Sequence, residues 1–158
     1  MPRYPYTRFS LPLSRSFLQF KNAPLLKVGL QSESGAMVKC VAYIDTGAQV
    51  CLFNSDYARV LGIKDYKQVA SDKDVLLLSG IGGKKPENRA YFHDLKLVVF
   101  GDEKHLTLDD ALRVIETKIG FLETPIEFAG ILGVYGFLDH FRFEANVPEH
   151  CFSLEPVF

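Results

Sequence analysis

Asp45-Thr46-Gly47-Ala48 is the segment whose residue types and spacing could do chemistry. It follows an apolar run through Val38, Cys40, Val41, Ala42, Tyr43 and Ile44. An acid at the end of a buried strand costs free energy unless something stabilises it. Gly47 allows a sharp turn that brings its amide near the carboxylate, and Thr46 adds a hydroxyl able to fasten the loop to a neighbour. A carboxylate held in this way can activate a water molecule. The plainer alternative is that Asp45 is only a turn residue, because Asp-Thr-Gly is also good turn chemistry. For hydrolysis one carboxylate is insufficient: one group must act as base towards water and a second as acid towards the carbonyl oxygen. Two close carboxylates can share a single proton and divide these roles. The chain has one Asp-Thr-Gly, so the second carboxylate would have to come from a second copy.

Two other segments accompany it. Far downstream lies Ala129-Gly130-Ile131-Leu132-Gly133. Between them, Leu78-Ser79-Gly80-Ile81-Gly82-Gly83-Lys84 separates two predicted strands. Its glycines suit a lid that opens and then lies close to a peptide backbone, or else a plain hairpin turn. It is no phosphate loop, since the Gly-Lys-Ser/Thr ending and the strand-to-helix setting are missing.

Taken in order, Tyr43-Ile44-Asp45-Thr46-Gly47-Ala48, the Gly-rich segment and Ile131-Leu132-Gly133 resemble the retropepsin-like aspartic proteases, the family of retroviral proteases and their bacterial and eukaryotic relatives. The resemblance runs from about Leu25 to Leu154 and includes a short helix expected at Gly136–Phe141 and closing strands around Phe143–Asn146 and Phe152–Leu154. It implies a mostly β fold, a small closed β-barrel with a flap hairpin and two or three short helices. It further implies an aspartic endopeptidase acting on a peptide or protein substrate as a C2 homodimer, with no metal or other cofactor. Asp45 would be the catalytic residue, supported by Thr46, Gly47 and Ala48. Gly80, Ile81, Gly82 and Gly83 would form the flap, and Ile131, Leu132 and Gly133 would pack beneath the catalytic loop. Two positions depart from the family's habit: Val134 stands where many members carry a polar or charged residue, and Cys51 lies near a place often held by Ser or Thr. A non-catalytic peptide-binding or dimerisation module on the same fold is the alternative, and a structural assembly domain is a third reading.

These residues need elements to position them. Leu25–Gln31 and Ala36–Ile44 read as strands joined by a turn at Ser32–Gly35. The second has apolar residues on both faces, which predicts a central, buried strand. A short helix is expected from Asn54 or Ser55 to Leu61, stopped by Gly62. Strands are expected at Asp74–Leu78 and Tyr91–Phe100. Thr107–Thr117 is ambiguous: Thr107-Leu108-Asp109-Asp110 resembles a capping box, yet Val114, Ile115 and Thr117 suit a strand, and the reading leans to helix. Arg142–Val147 and Cys151–Leu154 read as extended. Asp139 is read as a surface or capping acid rather than a second catalytic one.

A chain of 158 residues suits one domain, here drawn as an arm over 1–24 and a single domain over 25–158. A formal net charge of -1 argues against binding nucleic acid through overall charge. No apolar run reaches the roughly 18–20 residues of a membrane span. Arg3, Arg8, Arg15, Lys21 and Lys27 all precede the first acid, Glu33. Pro2, Pro5, Pro12 and Pro24 break any amphipathic helix there, so an ordered or docking arm is expected rather than a transit peptide. Cys40, Cys51 and Cys151 lack metal-ligand spacing, and neither do His93, His105, His140 and His150 have it. Reduced thiols and a cytoplasmic location fit this cysteine usage.

Overall fold

The structure, a computed structural model, describes residues 1–11, 17–80 and 87–157. It is mostly β. In chain order the strands are β1 (Arg3–Pro5), β2 (Thr7–Ser10), β3 (Phe20–Ala23), β4 (Leu25–Gln31), β5 (Met37–Ile44), β6 (Leu52–Asn54), β7 (Val75–Ser79), β8 (Glu87–Phe100), β9 (Ala111–Leu122), β10 (Gly130–Leu132), β11 (Phe141–Asn146) and β12 (Cys151–Pro156). Among the described residues one α-helix, α1 (Asp56–Val60), follows β6. No described helix is long and apolar enough to cross a membrane.

The largest sheet runs β4-β5-β10-β6-β9-β8-β7, and β4 pairs additionally with β8. β1-β12-β11 form a second sheet and β2-β3 a two-stranded one. β4 and β5 are joined by the expected turn, with Gly35 at φ +91° and its N–H donating to the Ser32 carbonyl at 3.0 Å. β5 is central, between β4 and β10, but buried on one face. Cys40, Ala42 and Ile44 point into the core, whereas Val41 is 38% exposed. α1 is stopped where Gly62 takes φ +83°, although Ser55 makes no side-chain cap.

Two helical expectations give way. Over Thr107–Thr117 only a single 3₁₀ turn forms, at Leu108–Asp110, before β9 begins. The capping interaction exists, with Thr107 Oγ1 donating to Asp110 Oδ2 at 2.7 Å, but no helix grows from it. Ile115, Thr117 and Ile119 are buried and alternate with exposed Val114 and Glu116, a period of two that suits pairing along β8. Likewise, Gly136–Phe141 yields only a 3₁₀ turn at Leu138–His140, because Gly136 sits at φ +85° and β11 starts at Phe141.

The core gathers Phe53, Phe121, Phe137, Leu97 and Ile115 between the sheets. Tyr4, in the segment read as an arm, joins them. It is 1% exposed, stacks on Phe152 at 5.2 Å, and donates its hydroxyl to the Phe100 carbonyl at 2.7 Å. Nearby, the Arg3–Glu149 pair is solvent-exposed and contributes little. Tyr4→Ala should therefore destabilise the fold by about 3–5 kcal/mol, as for other buried aromatics. Tyr4→Phe, which removes only the hydrogen bond, should cost about 1 kcal/mol. Urea unfolding midpoints of the two variants check both values.

Candidate active site

Asp45 emerges where β5 leaves the core. Ala42 and Ile44 are anchored inside, and the Ile44 N–H donates to the Pro24 carbonyl at 3.0 Å. The chain then turns around the Asp45 carboxylate, whose Oδ1 accepts the Gly47 N–H at 2.9 Å. The Ala48 N–H closes the same turn on the Asp45 carbonyl at 3.2 Å. Asp45 and Ala48 are half-buried, while Thr46 and Gly47 are exposed. Among the described residues the Thr46 hydroxyl has no hydrogen-bond partner, so it is available to another molecule.

The distant Ile131-Leu132-Gly133 segment is brought directly against this turn. β10 runs parallel to β5, with Leu132 opposite Ile44, and antiparallel to β6. Three backbone hydrogen bonds stitch the segments together: Asp45 N–H to the Leu132 carbonyl at 3.0 Å, Val134 N–H to Ala48 at 2.9 Å, and Tyr135 N–H to Gln49 at 2.9 Å. Ile131 and Leu132 are buried. Gly133 is a required glycine, because a Cβ there would collide with the Val50 carbonyl oxygen and lie 2.7 Å from that of Ala48. Val134 thus braces the loop through its backbone, with a half-buried apolar side chain.

Nearby groups are committed elsewhere. Asp139 Oδ1 accepts the Gly136 N–H at 3.0 Å, the capping use expected of it. Cys51 is fully buried under the loop, and burial pushes its thiol up to about 12, so it stays protonated and is no nucleophile. Gly80 ends β7 at φ +73°, where the β7–β8 pairing from Val75↔Tyr91 to Ser79↔Glu87 makes a hairpin. Ile81, Gly82 and Gly83 lie outside the described residues.

Sequence reasoning missed an aromatic pair beside the turn. Tyr43, two residues before Asp45 and on the same strand face by alternation, stacks on Phe128 at 5.4 Å with planes 6° apart. Phe128 is positioned by Asn54, whose Nδ2 donates to the Phe128 carbonyl at 2.9 Å and whose Oδ1 accepts the Ile126 N–H at 2.8 Å. The period of two places Tyr43, but no local pattern pairs it with Phe128. The described residues hold no cluster of metal-ligating side chains.

Comparison with protein-family models gives no match for this chain, and comparison with curated proteins gives no significant one.

The packing at Gly133 makes its own test. Gly133→Ala should displace the Asp45–Val50 loop and lower stability by about 1–3 kcal/mol, the usual cost of overpacking. Thermal unfolding measures the loss, and a crystal structure of the variant should show the loop moved.

Proposed function

We propose that this chain is one half of an aspartic endopeptidase, which hydrolyses peptide bonds through a water activated by Asp45 and Asp45 of a second copy. The observation that carries this reading is the Asp45 turn. Its carboxylate is oriented by the Gly47 amide, half open to solvent, and braced from behind by Leu132–Tyr135. The retropepsin-like closed barrel is part of the proposal, supported by the β4–β8 pairing that links the start of the large sheet's strand order back to β8.

In this reading a C2 pair brings the two Asp45 turns together across the axis, where the exposed Thr46 and Gly47 face the partner. The two carboxylates share one proton. The ionised member takes a proton from water, and the water oxygen attacks the scissile carbonyl. The protonated member gives its proton to the carbonyl oxygen, forming a diol. The carboxyl that took water's proton then passes it to the departing nitrogen while the other carboxylate takes a proton from a diol hydroxyl, so the C–N bond breaks, the amine leaves and the dyad again holds one proton. The β7–β8 hairpin from each copy would cover the cleft, excluding bulk water.

A second reading is a peptide-binding or dimerisation module that does not cut. Val134 favours it, because it offers the loop no side-chain charge or hydrogen bond.

A cleavage assay on a diverse peptide library from acidic to neutral pH separates the two. The wild type should cleave, and Asp45→Asn should lose about 10²–10⁴-fold in rate or more while remaining dimeric, since the amide cannot accept water's proton. Tight peptide binding by a wild type that never cuts would favour the module. Activity should also fall more steeply than linearly on dilution, because each chain holds half the dyad; sedimentation of a fully active monomer would refute the shared site.

A further inference from the structure

The β2–β3 hairpin packs on Phe128, the ring stacked on Tyr43 two residues before Asp45, and is unused by the mechanism above. β3 leads through Pro24 into β4, and it is the Pro24 carbonyl that accepts the N–H of Ile44, the residue before Asp45. The hairpin's register, Thr7↔Ala23 to Ser10↔Phe20, gives it two distinct faces. On one, Phe9 packs on Phe128 at 6.1 Å and Lys21 Nζ lies 5.7 Å from the same ring, extending the Tyr43–Phe128 stack. On the other, exposed Arg8 lies over the Phe20 ring at 3.7 Å, and Phe20 is 44% exposed. A guanidinium stacked on a ring is pre-oriented, and its edge donors stay free for a carboxylate. Among the described residues neither Arg8 nor Lys21 pairs with a carboxylate.

Charge completes the picture. No acid precedes Glu33, so the hairpin itself carries only positive charge, while exposed Glu127 lies beside Phe128 and the chain as a whole is near neutral at -1. We infer that the β2–β3 hairpin is a specificity wall of the cleft, selecting peptides in which an acidic side chain flanks the apolar residues placed at Asp45. This rests on reading the Asp45 turn as a peptide site. The apolar part of such a peptide lies on the Tyr43–Phe128–Phe9 surface and its carboxylate meets Lys21 on that face, while Arg8, on the hairpin's opposite face, meets an acid where the peptide runs past the hairpin's edge.

The test uses the full chain and two fluorescent peptide pools with an apolar central pair, one with Glu at the flanking positions and one with Gln. Binding is read by anisotropy at low and at moderate salt. The wild type should prefer the Glu pool by about five- to tenfold at low salt, as two exposed charge contacts allow, and less at higher salt. Arg8→Gln/Lys21→Gln should abolish the preference, and each single variant should remove part of it, which covers misfolding of the double variant. Asp45→Asn should retain it. Absent preference in the wild type, unchanged preference in the folded variants, or equal weakening towards both pools would overturn the inference. So would charge-dependent sedimentation with phosphatidylserine vesicles, lost in the double variant and unaccompanied by peptide preference, which would make the hairpin a membrane-facing element. A Glu preference without cleavage sinks the catalytic reading alone, whereas Asp45-dependent cleavage without a Glu preference sinks this one alone.

Discussion

The close approach of Gly133 to the Ala48 and Val50 carbonyls is the constraint on which the rest of the site depends. Two loops from distant parts of the chain cross there with no side chain between them. Hydrogen bonds from Asp45, Val134 and Tyr135 then fix their relative position. Each such bond is worth only about 0.5–1.5 kcal/mol net, but leaving its groups buried and unpaired would cost more. The Asp45 turn therefore has one well-defined position, set by backbone rather than by adjustable side chains. A parallel neighbour to β5 cannot be supplied by a tight turn, so the intervening chain must travel out through β6, β7, β8 and β9 before β10 returns.

That excursion builds what surrounds the turn. The long β8–β9 hairpin carries much of the core, and its register buries Ile115, Thr117 and Ile119 together. The connection after β9 is held by asparagines. Asn88 Nδ2 donates to the Thr124 carbonyl at 2.7 Å, and Asn54 binds the backbone of Ile126 and Phe128. These side chains satisfy backbone groups that no strand reaches. They also set Phe128 against Tyr43, which brings the loop after β9 against the strand that leads to Asp45.

The N-terminal segment has two physical roles. Tyr4 is committed to the core, where burial pushes its phenol up to about 12 and its hydroxyl serves the Phe100 carbonyl. The β2–β3 hairpin, by contrast, exposes most of its residues and buries Ala23. Among the described residues it meets the body through Phe9 and Lys21 on Phe128 and through buried Ala23.

Much of this was legible in residues alone. The β4–β5 hairpin followed from Ser32–Gly35 and apolar runs on either side, and α1 from the stop at Gly62. Asp45-Thr46-Gly47 specified its own turn, because a carboxylate, a two-residue spacing and a glycine amide are local chemistry. Where local signals competed, the sequence did not decide. The Thr107–Asp110 cap formed as its residues dictate, yet β8 lay alongside and strand pairing won over helix growth. Tyr43 and Phe128, the Pro24 contact to Ile44, and the placement of Lys21 near the Phe128 ring belong to tertiary structure alone. They join residues far apart in the chain, and no periodicity of either segment carries the identity of its partner. Sequence determined the chemistry that Asp45 can do; the fold decided which side chains stand around it, because only packing brings distant segments into contact.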